Sequence, residues 1–278
     1  MVYVGSWGFH GGWFSGRGAP HCREDSPGSP RSPVIQGGVP EIAFTCGHDM
    51  THEKTVTALL KIYSTLLDRY GNRGWWPADT PFETIIGAIL AQNVSWSNAR
   101  RAIENLKDAG LLDVQALRDA DPTEISRHII SSRYYNQKAR RISAFMQFLY
   151  AEYGGDVDRM SGDDLPRLRE KLRSLKGFGE ETVDSILMYA CNVPVFVVDA
   201  YTKRIFSRYG FLEKDATYQE VQHFFTMHLP KEVPLYNDYH AQIVNLGHSI
   251  CRTHPDCHLC PIRFIHPGIA CEYAKNME

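Results

Sequence analysis

From residue 53 onward, apolar positions recur at helical spacing almost without interruption. Val56, Leu59, Leu60, Tyr63, Leu66, Leu67 and Tyr70 fall three or four residues apart and define one face. Thr80-Pro81-Phe82-Glu83 joins a hydroxyl N-cap, a proline at the first helical position and a glutamate able to reach back, which predicts a helix over PFETIIGAILAQ. Asp121-Pro122-Thr123-Glu124 repeats that logic for a shorter helix. Further helices are predicted from about Asn136 to Tyr150, over LPRLREKLRSL after Asp163 or Asp164, and over VQHFFTMH after a Thr217–Glu220 capping box. No segment alternates with period two for long enough to make a convincing strand, and VFVV at 195–198 reads as a buried connector. The predicted fold class is all-α.

The first 49 residues break the pattern. GRGAPHCREDSPGSPRSPVIQGG is dense in Gly, Pro and Ser and predicts a disordered N-terminal extension over 1–49. Met50 stands directly before the first helix, so translation starting there is an expectation that the intact mass tests. The N-terminus has no basic start and Gly5, Gly8, Gly11 and Gly12 interrupt any apolar run, which is unlike a signal peptide. No run is long and apolar enough to span a membrane. A cytoplasmic protein without membrane attachment is therefore expected, in a reducing compartment where clustered cysteines bind metal more often than they pair. Its length of 278 residues, 43% of them hydrophobic, supports a sizeable core. A net charge of −2 excludes a globally basic chain, so nucleic-acid binding has to come from a local patch.

The most informative stretch is LRSLKGFGEETVDSILMYA at 172–190. A helix ends near Leu175, Gly177 and Gly179 flank a phenylalanine, and a new helix begins at once. Two glycines permit positive φ and close approach of another backbone. The next helix N-terminus adds unpaired N–H groups and a positive dipole end, which together bind phosphate without reading base sequence. Alone, such a turn is as compatible with a plain αα-corner. Here Asp199 follows twenty residues after Gly179, at the end of the apolar run VPVFVVD.

Residues 172–209 resemble the helix-hairpin-helix, loop and aspartate signature of the endonuclease III (HhH-GPD) superfamily of DNA glycosylases, and the likeness extends over roughly 55–275. The resemblance implies a two-lobed helical fold, with 50–72 plus 191–250 in one lobe. The other lobe would be 73–190, with its helix-hairpin-helix at 164–190, followed by an iron–sulfur loop at 251–271. It implies a monomer acting on double-stranded DNA that contains a damaged base. In such enzymes the aspartate matching Asp199 stabilises positive charge on the sugar and orients water; as a bare sequence, Asp199 reads equally as an N-cap for AYTKRIFSRYG. Members that also nick the backbone carry a lysine nucleophile where this chain has Glu181, so the expectation is a monofunctional glycosylase in which Glu181 is a catalytic candidate that polarises the site, or else a solvated helix residue. Lys176 is the nearest lysine able to restore lyase activity, and a bifunctional enzyme is the alternative. Gly177, Gly179 and Lys176 are assigned to DNA binding.

Extruding a base from the stack requires a gap-filler and a wedge. The resemblance assigns these to Gln92 and Tyr134, with Arg133, Lys138, Arg140 and Arg141 giving a basic patch around Tyr134. WWP at 75–77, with YNQKARR, KGFGEE and VVDAYT, is similar to the endonuclease III-like 3-methyladenine glycosylases. A cationic methylated base suits an aromatic pocket through cation–π attraction, which makes Trp75 and Trp76 base-pocket candidates. The alternatives are a uracil or thymine mismatch glycosylase, or a DNA-binding module without activity. Finally, Cys251, Cys257, Cys260 and Cys271 form C-x5-C-x2-C-x10-C. Four thiolates so close in sequence signal metal; the resemblance implies a [4Fe–4S] cluster, though the first and last gaps depart from the family's spacing, and zinc is the alternative.

Overall fold

The computed structural model describes residues 51–266 and 269–275. The expectations for 1–49 and for Met50 lie outside the described residues. Thirteen α-helices follow in the described chain: α1 (His52–Tyr70), α2 (Pro81–Leu90), α3 (Trp96–Asp108), α4 (Val114–Asp119), α5 (Pro122–His128), α6 (Tyr135–Tyr153), α7 (Val157–Ser161), α8 (Leu165–Ser174), α9 (Glu180–Ser185), α10 (Ala200–Tyr209), α11 (Tyr218–His228), α12 (Val233–Ser249) and α13 (Glu272–Lys275). α9 continues into a π-helical turn, Ile186–Ala190. None of these helices is long and apolar enough to cross a membrane.

Local chemistry sets the helix starts. The Thr80 hydroxyl accepts from the Glu83 N–H, Asp121 from the Thr123 N–H and Asp164 from the Arg167 N–H, and Thr217 and Glu220 form a reciprocal capping box. Residues 195–198 are irregular, so the apolar VFVV run is a connector. Among the described residues the strands lie between Cys260 and Cys271, where β1 (Phe264–His266) pairs antiparallel with β2 (Ile269–Ala270). Two- and three-residue strands leave no period-two signal to read in advance.

The apolar faces assemble two cores. One is built from α2 to α9 around Ile85, Ile89, Ile142, Phe145, Leu172 and Leu187. The other joins α1 to α10, α11 and α12 around Leu59, Phe196, Phe206, Phe225 and Tyr239. Every apolar side chain named here is essentially inaccessible to water. Burial at about 25 cal/mol per Å² makes these cores the main source of stability. The chain crosses between them through the π-helical turn and the 195–198 connector, so the residues at that crossover face both bodies.

Candidate functional site

The hairpin between α8 and α9 is built as its sequence demands. Gly177 has φ +89, and a Cβ there would lie 2.2 Å from the Arg141 Nε, so only glycine lets that guanidinium lie across the turn. Phe178 is buried against Phe145. Gly179 caps α9 with open space where a side chain would stand, so the backbone at this helix N-terminus is approachable. Gln92, just past the end of α2, reaches the same turn: its Nε2 donates to the Gly177 carbonyl (3.0 Å) and to the Thr182 hydroxyl (2.8 Å), while Arg141 donates to its Oε1. Lys176 is exposed on the hairpin.

Tyr134 and Arg133 lie beyond a short 3₁₀ turn (Ile130–Ser132), and both have positive φ, +45 and +54. Tyr134 is 62% exposed, an unusual position for a tyrosine. Arg133 and Arg140 are exposed beside it. Lys138 corrects the sequence reading: it is not part of a surface basic patch. Its side chain is buried, with Nζ donating to the Leu90 carbonyl (2.8 Å) and to the Ser132 carbonyl. One helical turn after Tyr134, its position on α6 points inward, and two backbone carbonyls replace water around the ammonium. Burial, reinforced by Arg141, lowers its pKa to about 8.

Asp199 closes the 195–198 connector and caps α10. Its Oδ1 accepts from the Thr202 N–H (2.7 Å) and hydroxyl (2.8 Å). Its Oδ2 receives no hydrogen bond from the described residues and stands 3.7 Å from the His240 Nε2. The Asp199 side chain is 10% exposed and that of His240 7%. His240 is in hydrogen-bond contact with the Tyr189 hydroxyl through Nδ1, while its Nε2 has no partner. Burial lowers the His240 pKa and the Asp199 charge partly opposes this, so the ring is neutral at pH 7. Burial and the same charge raise Tyr189 well above the usual phenol range.

Glu181, on the first turn of α9, belongs to this group. The residue as a whole is exposed, yet protein crowds its carboxyl, and that desolvation together with the Asp199 charge raises its pKa to about 7. An aromatic cluster packs beside these groups. Trp76 packs on Tyr189 (5.1 Å between ring centroids), on Trp96 (4.8 Å) and on Trp75 (5.3 Å), and Trp75 also meets Trp96 (5.1 Å). Gly87 of α2 makes room for it, since a Cβ there would stand 3.2 Å from the Trp76 Nε1.

The fold therefore gathers Asp199, Glu181, Trp75 and Trp76 into one neighbourhood, and Gln92 with Gly177 into another. Tyr189, His240, Trp96 and Thr202 join the first without having been singled out in the sequence; Arg141 joins the second, having been read only as part of a basic patch.

The four C-terminal cysteines are all half-buried and unpaired, and they line a single pocket with Arg208, Ile250, Arg263 and Tyr273. Arg208 donates to the Cys251 Sγ (3.2 Å) and to the carbonyls of Arg252 and Thr253, and its own carbonyl accepts from the Cys271 thiol. Among the described residues no three His, Cys, Asp or Glu side chains converge closely enough to hold a single metal ion.

Comparison with known proteins agrees with this arrangement. Residues 86–231 match the model of the HhH-GPD superfamily base excision DNA repair proteins. The chain is 42% identical to a Methanocaldococcus jannaschii protein assigned as a DNA repair glycosylase, over 76% of this chain and 96% of the relative. It is 30% identical to endonuclease III of Sulfolobus acidocaldarius, over 66% of this chain and 79% of that one. A solved structure of H. pylori 3-methyladenine DNA glycosylase bound to 1,N6-ethenoadenine superposes with a TM-score of 0.61 at 26% identity, covering 69% of this chain and 96% of that one. The chain belongs to the HhH-GPD superfamily of base excision repair proteins, and it is a DNA N-glycosylase.

Proposed function

We propose that this glycosylase is monofunctional, that it uses water to release an alkylated purine such as 3-methyladenine, and that it leaves the DNA backbone intact. The observation carrying this reading is the juxtaposition of two carboxyls and an aromatic cluster: the unengaged Asp199 Oδ2 and the Glu181 carboxyl lie near Tyr189, on which Trp76, Trp75 and Trp96 pack.

The chemistry follows from those positions. Gly177, Gly179 and the α9 N-terminus take a phosphate, with Lys176 and Arg133 adding positive charge. Tyr134 stacks in the helix and Gln92 fills the vacated space while the target base swings out. Trp75 and Trp76 attract a cationic methylated base through their π faces. As the glycosidic bond lengthens, positive charge grows on the deoxyribose and the Asp199 Oδ2 stabilises it, then orients the attacking water. Glu181 occupies the place of a lyase nucleophile, and a carboxyl forms no Schiff base with the sugar. The protein acts as a monomer in this reading.

The four cysteines fit a [4Fe–4S] cluster. They line one pocket beside α10; four thiolates suit either a cluster or a tetrahedral zinc, and the family resemblance favours the cluster. A bound cluster would supply no step in base release and would staple the 251–271 loop against α10. Brown protein with visible absorption supports iron; colourless protein with one equivalent of zinc refutes it.

A panel of lesion-bearing duplexes tests the substrate, and borohydride trapping on abasic DNA tests the monofunctional mechanism. Release of methyladenine without trapping is expected. A second reading, uracil or thymine opposite guanine, draws on the neutral hydrogen-bonding groups of the cleft, the Tyr189 hydroxyl and His240. These suit a neutral base with carbonyl edges, and release of uracil without methyladenine decides for it.

A further inference from the structure

Lys138 occupies a position that its chemistry does not favour. It is 1% exposed, and no carboxylate among the described residues pairs with it. Burying a cation this way is costly unless its donors are used, and here they are used on two carbonyls from different segments. One is Leu90, the last residue of α2, two residues before Gln92. The other is Ser132, the residue before the left-handed pair Arg133–Tyr134. The Lys138 ammonium therefore bridges the roots of the two loops that carry Gln92 and Tyr134.

The backbone around those roots needs such a tie. Consecutive positive φ values at non-glycine residues cost of order 1–3 kcal/mol each and persist only where neighbours hold them. Ser132 is itself buried and its hydroxyl donates back to Ile129, so the turn is fixed from within, while Lys138 fixes it to α2. An apolar side chain of the same length would leave both carbonyls without that donor.

We propose that Lys138 is a positioning residue that sets the separation between the gap-filling Gln92 and the wedge Tyr134, so that the two enter the duplex as one unit. This rests on the roles proposed for Gln92 and Tyr134, and not on the identity of the damaged base. Lys138 touches no DNA. It acts through the two carbonyls, and a substitution there should impair probing of the stack while sparing the phosphate grip of the hairpin.

The test uses the full-length protein and a duplex carrying a tetrahydrofuran abasic analogue opposite 2-aminopurine, against the same duplex undamaged. Wild-type protein should prefer the analogue and change the 2-aminopurine fluorescence. Lys138→Met should lose about tenfold of that preference, the scale of one lost base stack, while its affinity for undamaged duplex stays within about twofold. Tyr134→Ala should lose a similar factor, and the double variant no more than the worse single one. If Lys138→Met fails to melt cooperatively, Lys138→Gln, which keeps a donor group, takes its place with a smaller selective loss expected. Full preference in a Lys138 variant, equal loss on both duplexes, or losses that multiply in the double variant would overturn the proposal. Should Tyr134→Ala itself keep the preference, the wedge role fails, and Lys138 has nothing to position.

Discussion

Two buried carboxylates, Asp184 and Asp199, lie fifteen residues apart in sequence and have opposite surroundings. Asp184, on α9, is completely buried and fully engaged. Arg169 of α8 donates to both of its oxygens (2.9 Å each), and Oδ2 also accepts from the Tyr218 hydroxyl (2.9 Å) and the Gln222 amide (2.7 Å) of α11. Gln222 and Tyr218 continue to the Phe196 carbonyl and the Val198 N–H of the connector. Asp199 has one oxygen engaged by Thr202 and the other beside His240 without a hydrogen-bond donor among the described residues. A carboxylate with donors on both oxygens is structural, whereas one with an oxygen kept free of donors in desolvated surroundings retains its field for a substrate. The first also holds the connector that carries the second.

The same isosteric substitution at both positions should separate these roles. Asp199→Asn is expected to lower single-turnover base release by about a thousandfold, the scale of a lost charge-stabilising group. Asparagine is an equally good N-cap, so the melting temperature should hardly move. Asp184→Asn is expected to cost about 3 kcal/mol in urea denaturation, because it leaves the guanidinium of Arg169 without its charge partner. Arg169 is 35% exposed, which places the loss at the low end for a broken buried pair. If Asp184→Asn abolished base release without lowering stability, the division between the two carboxylates would be wrong.

The sequence carried one side of this contrast more plainly than the other. Cap residues at Thr80, Asp121, Asp164 and Thr217 act through hydrogen bonds spanning two or three residues, so their helices were legible from local pattern. The hairpin was legible because Gly177 is needed at positive φ, and the Asp199 cap because aspartate is a favoured N-cap whose side chain accepts a backbone N–H three residues on. Tyr189 and His240 meet across 51 positions, and Gln92 and the hairpin across 85. Neither tyrosine nor histidine stands in a pattern that announces the meeting; each is one apolar-face residue on a helix. Trp96 had the better signal, as a third tryptophan close to Gln92. Lys138 misled because a lysine among arginines on an amphipathic helix reads as solvated, and only the tertiary placement of two carbonyls makes burial tolerable.

Glu181 sharpens the contrast from the other direction, since it is a carboxyl that desolvation, with the Asp199 charge added, discourages from ionising. Its pKa rises from 4.5 to about 7 in the folded protein. Between those values the folded state holds a proton that the unfolded chain has lost, so this group's contribution to stability falls as pH rises from about 4.5 to 7 and is constant beyond. Glu181→Gln removes that loss. The variant should melt higher than wild type at pH 8, and the difference should shrink to nothing near pH 4.5, as a series of melting curves would register. A difference independent of pH would mean that the Glu181 carboxyl is not held protonated by its surroundings.

The smallest effect concerns the engaged oxygen of Asp199. Thr202 is fully buried and gives Oδ1 two donors, one from the backbone and one from the side chain. Thr202→Val deletes only the hydroxyl and keeps the shape. Losing one such bond is worth about 1 kcal/mol, which predicts kcat lower by about fivefold, with affinity for undamaged duplex unchanged. The backbone N–H still fixes the carboxylate plane, so the loss is confined to the freedom of the group to swing away from the sugar. A thousandfold loss would instead place the threonine hydroxyl in the reaction. No loss at all would show that one backbone donor suffices to aim Oδ2, and that the side-chain bond serves only to fill the helix cap.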